Sequence, residues 1–206
     1  MKKTFAFAAM AAILFGFASC NKAETPSDNP SDKEGDGDKT EVKYRVLEDF
    51  ENGGILTWTG SNGATFEIAA NPSAKGVNTS SKVGKVTCGG QQWEFTWSTY
   101  FGVTETETNP KYLDFTNDGY IIKVDVYSPK KDAPVYLKLE GDGVDAKEIS
   151  TVKTTKANEW ETLAFDYEPM SVVNGAYRNF VIIFDAGNLT TQGEVYYYDN
   201  IRQCKE

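Results

Sequence analysis

The chain has 206 residues and a formal net charge of -9, and it contains no histidine. The acidic balance argues against nucleic acid as a partner, because phosphate backbones attract basic proteins. The missing histidine excludes Ser-His-Asp and Cys-His catalysis and the usual catalytic zinc sites, so an enzyme on this chain would have to use carboxylates, lysine, tyrosine or a hydroxyl.

The first twenty residues have the organisation of a secretion leader. Two lysines precede an uncharged, mostly apolar run from Phe5 to Phe17, which is too short to span a bilayer core of about 30 Å comfortably. The tetrapeptide Phe17-Ala18-Ser19-Cys20 resembles the lipobox of bacterial lipoproteins, although leucine is usual at its first position. The resemblance implies removal of residues 1–19 and a lipid anchor on Cys20. The alternative is an ordinary cleaved leader, which would also export the protein.

Residues 20–42 form a second segment of distinct composition. They are dense in Pro, Gly, Ser, Asp and Glu and contain almost no apolar side chain. Such a segment cannot bury enough surface to offset its ordering entropy, so we predict a disordered tether ahead of a folded domain at 43–206. Acidic residues after the lipidated cysteine resemble surface-export motifs of some gut-type bacteria. They imply an outer-membrane protein at the cell surface, with a periplasm-facing orientation as the alternative.

Short alternating runs separated by turn residues occupy the rest of the chain. In Pro134–Glu140, for example, Val135, Leu137 and Leu139 share one face and polar side chains share the other. No convincing helix of three turns is present, so we predict one all-β domain, an antiparallel β-sandwich of the jelly-roll type. The candidate strands are Arg45–Phe50, Ile55–Trp58, Thr65–Ala69, Val83–Cys88, Trp93–Ser98, Gly119–Ser128, Pro134–Glu140, Glu159–Tyr167, Asn179–Asp185 and Glu194–Arg202.

Two cysteines, Cys88 and Cys204, fall inside this domain. In an oxidising compartment they could form one disulfide that closes a long loop. They could equally be two buried apolar thiols in separate strands. Their spacing does not decide between the two.

A series of short motifs, taken in order, resembles carbohydrate-binding-module jelly rolls of the galactose-binding-like type. The resemblance covers nearly the whole domain. It implies primarily a jelly-roll fold and only secondarily sugar binding, because this architecture hosts several functions. The motifs are Asp49-Phe50-Glu51, Asn71-Pro72, Gly76–Gly84, Val126-Tyr127-Ser128-Pro129, Leu137–Glu140, Asn158–Leu163, Phe165-Asp166 and Tyr196–Ile201.

The same resemblance implies one structural calcium ion. In those modules an opening acidic residue and a closing aspartate share the ion with a loop near an Asn-x-Ser motif. Carried over to this chain, the ligands are Glu51, Asn78 and Asp199, with carbonyl oxygens of residues 76–82. Calcium takes six to eight oxygen ligands, so such a site would pin the first strand to the last. Asp49 is an alternative to Glu51, and all of these residues could instead be ordinary turn and edge acids.

Sugar binding needs flat aromatic side chains for C–H faces and polar groups for hydroxyls. Trp93, Phe95 and Trp97 share one face of a strand, with Tyr100 just beyond it. Three large aromatic residues on one strand are more typical of core, in which case Glu94, Thr96 and Ser98 would line the surface. The alternative is an exposed stacking platform.

Three further residues are candidates for contact with a sugar. Tyr127 and Tyr136 share outward faces with charged residues and could belong to a sugar-facing sheet. Arg178, in a predicted loop, could bind hydroxyls or an acidic sugar, or be an ordinary solvated side chain.

These features predict a membrane-anchored glycan-binding lipoprotein. It would capture polysaccharide or oligosaccharide for a glycan-utilisation system, beside an outer-membrane importer or enzymes of that system, without catalysis of its own. One alternative is a glycoside hydrolase or lyase on the same fold, for which two carboxylates about 5–10 Å apart are needed and Glu105 and Glu107 are weak candidates. The other alternative is a structural or adhesin module that binds protein.

Overall fold

Two antiparallel β-sheets make up the part of the chain that the computed structural model describes, residues 44–99 and 113–206. Within these residues the only helical elements are single turns of 3₁₀-helix at Glu51–Gly53 and Glu168–Met170. The predicted all-β antiparallel sandwich is confirmed. The strands are β1 (Tyr44–Glu48), β2 (Trp58–Ser61), β3 (Thr65–Ala70), β4 (Lys82–Thr87), β5 (Phe95–Ser98), β6 (Ile121–Tyr127), β7 (Val135–Gly141), β8 (Lys147–Ile149), β9 (Trp160–Asp166), β10 (Tyr177–Phe184) and β11 (Val195–Cys204).

The long last strand organises the six-stranded sheet, in which five strands have the order β3-β4-β11-β6-β9 and the sixth, β1, pairs with β11 outside that order. The first half of β11 pairs with β4, and its second half pairs with β1, with Tyr44 opposite Cys204. The five-stranded sheet has the order β2-β5-β10-β7-β8. The first and last strands of the domain are therefore neighbours in one sheet, and β5, β7 and β10 lie together in the other.

Strand alternation places the core between the sheets. In β7, Val135, Leu137 and Leu139 are buried while Tyr136 and Lys138 are half-buried on the other face, as the pattern predicts. An aromatic cluster fills the centre of the core, with the Trp58 ring stacked parallel to Phe180 at 6.4 Å between centroids. Such rings bury large apolar areas, so this cluster contributes strongly to the stability of the sandwich.

A buried carboxylate, that of Glu48, anchors the segment between β1 and β2. It is fully buried and accepts the backbone N–H groups of Asp49, Phe50, Ile55 and Leu56 and the indole N–H of Trp58, at 2.8–3.1 Å. The predicted strand Ile55–Trp58 is wrong for this reason. Two of its backbone donors bind a side chain instead of a neighbouring strand, and the strand begins only at Trp58.

The two cysteines are both buried and both free. The N–H of Cys88 donates to the carbonyl of Glu194, just before β11, whereas Cys204 ends that strand. Ten residues of extended chain at about 3.3 Å each place them roughly 30 Å apart, far beyond disulfide reach. Burial also raises the pKa of the Cys88 thiol to about 12. Of the two alternatives, the pair of separate buried thiols is confirmed.

Candidate functional site

The outer face of β5 carries two tryptophans that solvent reaches. Trp93, just before the strand, is 45% exposed and Trp97 is 38% exposed, with Phe95 half-buried between them. Core tryptophans are almost fully buried in this domain, as the 6% exposure of Trp58 shows. The interpretation that the sequence favours, in which this aromatic face is core, is wrong. The alternative, an aromatic row at the surface, is what the structure contains.

The opposite face of β5 is in the core although its side chains are polar. Thr96 and Ser98 are fully buried. The Ser98 hydroxyl accepts the N–H of Phe180 at 3.0 Å, and the Thr96 hydroxyl lies 3.5 Å from that of Tyr198. Buried hydroxyls cost little when they are hydrogen-bonded. These bonds therefore allow β5 to turn its polar face inward and its aromatic face outward.

A groove of about 460 Å³ lies on this outer face. Strand register builds it, because Trp97 on β5 is opposite Val181 on β10, which is opposite Lys138 on β7, which in turn is opposite Glu148 on β8. The groove thus has an aromatic row on one side, an aliphatic floor and a charged row on the other side. Its lining residues are Trp93, Phe95, Trp97, Lys138, Glu140, Glu148, Val181 and Ile183.

The backbone of Trp93 is strained. Its φ of 62° lies in the left-handed region, which is costly for a bulky side chain and occurs most often where function requires it. The Nδ2 of Asn62 donates to the carbonyls of Gln92 and Trp93, at 2.8 and 3.1 Å. The Nε2 of Gln92 donates to the carbonyl of Gly187 at 2.6 Å, and a Cβ on Gly187 would stand 3.4 Å from the Trp93 ring. Trp93 is therefore held in place.

Glu94 fixes the loop that precedes this tryptophan. Its side chain is buried and accepts the N–H groups of Gly89 and Gln91, at 2.7 and 3.0 Å, and the hydroxyl of Thr190 at 2.7 Å. These hydrogen bonds fix the position of the loop that precedes β5. The aromatic row consequently starts from a rigid base.

The charged row consists of Lys138, Glu140 and Glu148. The Nζ of Lys138 lies 2.6 Å from a Glu140 oxygen, and the Nδ2 of Asn179 donates to the other Glu140 oxygen at 3.3 Å. Burial raises the pKa of Glu140, but these two hydrogen bonds and the lysine charge outweigh it and hold the pKa below its ordinary value. A general acid needs a raised pKa. Glu140 is thus kept ionised, which suits hydrogen bonding to hydroxyls better than proton donation.

The sequence candidates fall on different surfaces. Tyr136 belongs to β7 and the five-stranded sheet, whereas Tyr127 belongs to β6 and the other sheet, where its ring contacts Trp160 and Tyr197 at 5.6 and 5.8 Å. The two tyrosines therefore cannot form one sugar-facing sheet. Arg178 lies within β10 and not in a loop, and its Nε is 3.6 Å from a carboxylate oxygen of Asp142.

Several predictions fall outside the described residues. These are the leader at 1–19, the lipidation site Cys20, the linker at 20–42, Tyr100, and the carboxylates Glu105 and Glu107. In the ranges 44–99 and 113–206, no helix is long and apolar enough to cross a membrane.

The three predicted calcium ligands surround one loop. Asn78 and Asp199 are fully buried, and the Nδ2 of Asn78 donates to Asp199 Oδ2 at 2.7 Å. Burial raises the pKa of Asp199 to about 6, and its Oδ1 has no hydrogen-bond partner. Glu51 instead accepts the N–H groups of Ser81 and Lys82.

Asp199 Oδ1 is thus an open acceptor that a cation would satisfy. Glu51 already accepts the N–H groups of Ser81 and Lys82, and Asn78 Oδ1 accepts the N–H of Ser80 and the side-chain amide of Asn71, so both residues would have to exchange these bonds to bind a metal. Among the described residues, no group of three or more Asp, Glu, Cys or His side chains is arranged around a metal position. The calcium ion stays a prediction.

The groove includes residues that sequence reasoning did not select. Val181, Ile183, Lys138, Glu140 and Glu148 join it because β7, β8 and β10 are neighbours, and sheet order is not visible in the sequence. The alternation in Leu137–Glu140 indicates the outward face of Lys138 and Glu140 but not what lies beside it.

Comparison with known proteins finds structures of similar fold but no relative by sequence. Neither a scan against protein-family models nor a search of curated proteins finds a match. The structure is similar to a family 11 carbohydrate-binding module from Clostridium thermocellum in complex with a β-1,3-1,4-mixed-linked tetrasaccharide, with a TM-score of 0.54, 14% identity, and coverage of 80% of this chain and 97% of that chain.

A second solved structure gives the same result. It is the family 11 carbohydrate-binding module of a cellulosomal cellulase of Clostridium thermocellum, with a TM-score of 0.50, 14% identity, and coverage of 81% of this chain and 97% of that chain. At this identity the two likenesses establish a shared jelly-roll fold, which agrees with the sandwich described above.

Proposed function

We propose that this protein binds a glycan in the groove of the five-stranded sheet and performs no reaction on it. The observation that carries the proposal is the pair of half-exposed tryptophans, Trp93 and Trp97, aligned beside a row of charged side chains. A contiguous patch of large aromatic side chains at a surface marks a binding site, and backbone strain such as that of Trp93 concentrates at such sites.

The chemistry of a sugar ring matches the two sides of the groove. A pyranose ring has an apolar C–H face, which packs on an indole, and an edge of hydroxyls, which bond to carboxylates and amines. Trp97 offers the first surface, and Lys138 and Glu140 across β10 offer the second. The shared fold with a module that holds a tetrasaccharide supports the same conclusion.

The proposal has a second part, which concerns location. The leader and lipobox-like sequence at residues 1–20 support acylation of Cys20, and the polar segment 20–42 supports a flexible spacer between membrane and domain. The protein would then sit on the outer membrane, most usefully facing the cell surface. There it would hold polysaccharide near the importer and enzymes of a glycan-utilisation system.

Binding and catalysis are tested together. The unlipidated mature chain, residues 20–206 with Cys20→Ser, is run in native gels containing a panel of polysaccharides and is incubated with the same polysaccharides in a reducing-sugar assay. Retardation without release of reducing ends is expected. Release of reducing ends would identify a glycosidase instead, and a chain retarded by no polysaccharide would favour a protein-binding module.

Lipidation is tested in cells. A labelled palmitate analogue should enter the wild-type chain and not a Cys20→Ala variant. Protease added to intact cells should degrade the domain if it faces outward and leave it intact if it faces the periplasm. Absence of label from the wild type would remove the anchor from the proposal without affecting the groove.

A further inference from the structure

We infer that Glu140 and Glu148 make the groove selective for neutral glycans by repelling anionic ones. The inference rests on the proposed glycan binding and adds a specificity-determining role for two named residues. It concerns the class of sugar, uncharged or carrying carboxylate or sulfate groups, and not the linkage between sugars.

The charge balance of the groove is the first step. Its lining contains one cationic side chain, Lys138, and two carboxylates, Glu140 and Glu148. The ammonium of Lys138 is 2.6 Å from Glu140, so its charge is already compensated. Arg178 on the same sheet lies 3.6 Å from the carboxylate of Asp142, which compensates that charge too. The lining as a whole is negative, and Glu148 supplies the excess.

Position is the second step. Glu148 is directly opposite Lys138 in the β7–β8 register, and Lys138 is two strands from Trp97. At about 4.8 Å per strand, the strand of Glu140 lies roughly 10 Å from that of Trp97 and the strand of Glu148 roughly 14 Å, so a ring packed on Trp97, and the sugar unit beside it, would extend over β10 toward these carboxylates. An acidic substituent on that side of the ligand would therefore approach a carboxylate, whereas a hydroxyl would find a hydrogen-bond acceptor.

The size of the effect follows from Coulomb's law. Two like charges about 5 Å apart at a partly solvated surface repel enough to weaken binding roughly tenfold to a hundredfold at low salt. The chain as a whole adds to this, because its formal net charge is -9. Salt should reduce the discrimination, since charges at the surface are screened over about 10 Å at 0.1 M ionic strength.

The test compares each neutral polysaccharide with a charged copy of itself. Mixed-linkage β-glucan, xylan, galactan, mannan and starch are used as such and after carboxymethylation, and the unlipidated mature chain is measured against each pair by affinity gels and calorimetry. We expect the neutral parent to bind at least tenfold more tightly than its carboxymethylated form in 20 mM salt. In 0.5 M salt the ratio should fall.

Variants locate the cause. The double variant Glu140→Gln/Glu148→Gln should lose most of the discrimination. The matched control Glu159→Gln/Glu168→Gln changes the net charge equally at the two ends of β9, in the other sheet, and should retain it. Melting temperatures of both double variants establish that each is folded.

The outcomes separate this inference from the function on which it rests. Equal binding of parent and carboxymethylated polymer, preference for the charged polymer, or an equal effect of the control variant would overturn the selectivity while leaving glycan binding in place. Binding to no polymer of either kind would overturn both.

Discussion

The Trp93 indole reaches across β10 and contacts the Tyr136 ring, with 6.0 Å between their centroids and an angle of 59° between their planes. Tyr136 is opposite Ile183 in the β7–β10 register, so the contact lies at the Ile183 end of the groove. Beneath them Val181 and Ile183 form a small apolar cluster on the outside of the sheet, separate from the main core. The groove therefore has packing of its own, which keeps its aromatic side chains in fixed positions.

Removing the Trp97 ring should weaken binding and leave the fold intact. Trp97→Ala is expected to weaken glycan binding by about 2 kcal/mol or more, roughly thirtyfold, because a large ring at the centre of a contact contributes most of the affinity. Affinity gels and calorimetry measure this change. The control Tyr44→Ala removes an aromatic ring of 59% exposure from the other sheet and should bind normally. Normal binding by Trp97→Ala would remove the aromatic row from the site.

Substitutions of Trp93 separate the cost of its backbone conformation from the role of its side chain in binding. Glycine adopts a φ of 62° without cost, so Trp93→Gly should be more stable than Trp93→Ala by about 1 kcal/mol, although it removes the same ring. Both variants should bind glycan poorly. Urea unfolding gives the stabilities. If the alanine variant were as stable as the glycine variant, the backbone would not be strained at this position.

Glu48→Gln should destabilise the domain by about 2–4 kcal/mol. Five N–H groups donate to this buried carboxylate, and an amide would turn an NH₂ group toward some of them, leaving buried donors without a partner. Thermal or urea unfolding measures the loss. The control Glu67→Gln affects an exposed ion pair with Lys85 and should change stability by less than about 1 kcal/mol. Similar losses in the two variants would contradict a structural role for Glu48.

The calcium proposal makes its own prediction. Addition of calcium should raise the melting temperature, and a chelator should lower it, since an ion that binds only the folded state stabilises that state. Asp199→Asn should remove the response, because it removes the charge beside the open Oδ1 position. A melting temperature that neither calcium nor chelator changes would dismiss the metal. The Asn78–Asp199 hydrogen bond would then join the loop to the last strand without a metal.

Alternation of apolar and polar residues was sufficient to predict most of the fold. Every predicted strand except Ile55–Trp58 overlaps an observed one closely, because one face of each is packed against the opposite sheet. Strand β8 was not predicted, since Lys147–Ile149 is too short to show a period. The shift of β2 depends on Glu48, which belongs to another strand, β1, and whose burial no local pattern indicates.

The candidate site was harder to predict, for a different reason. Composition favours the aromatic face of β5 as core, and the partners that reverse this lie on other strands: the N–H of Phe180 donates to the Ser98 hydroxyl, and the Tyr198 hydroxyl lies 3.5 Å from that of Thr96. The charged row was likewise recognisable as outward but not as part of a groove. Which strands become neighbours is decided by long-range packing, and the residues near any one strand do not contain that information.

The pairing of β1 with the end of β11 has a practical consequence. Tyr44 and Cys204 are opposite one another, so both ends of the domain emerge from the same sheet, and the groove lies on the outside of the other sheet. A label, a surface or a second domain attached at either end would be mounted behind the groove. The domain should accordingly tolerate fusion and immobilisation at both ends. If its two ends are joined and the chain is opened elsewhere, the circular permutant should fold and keep the groove accessible.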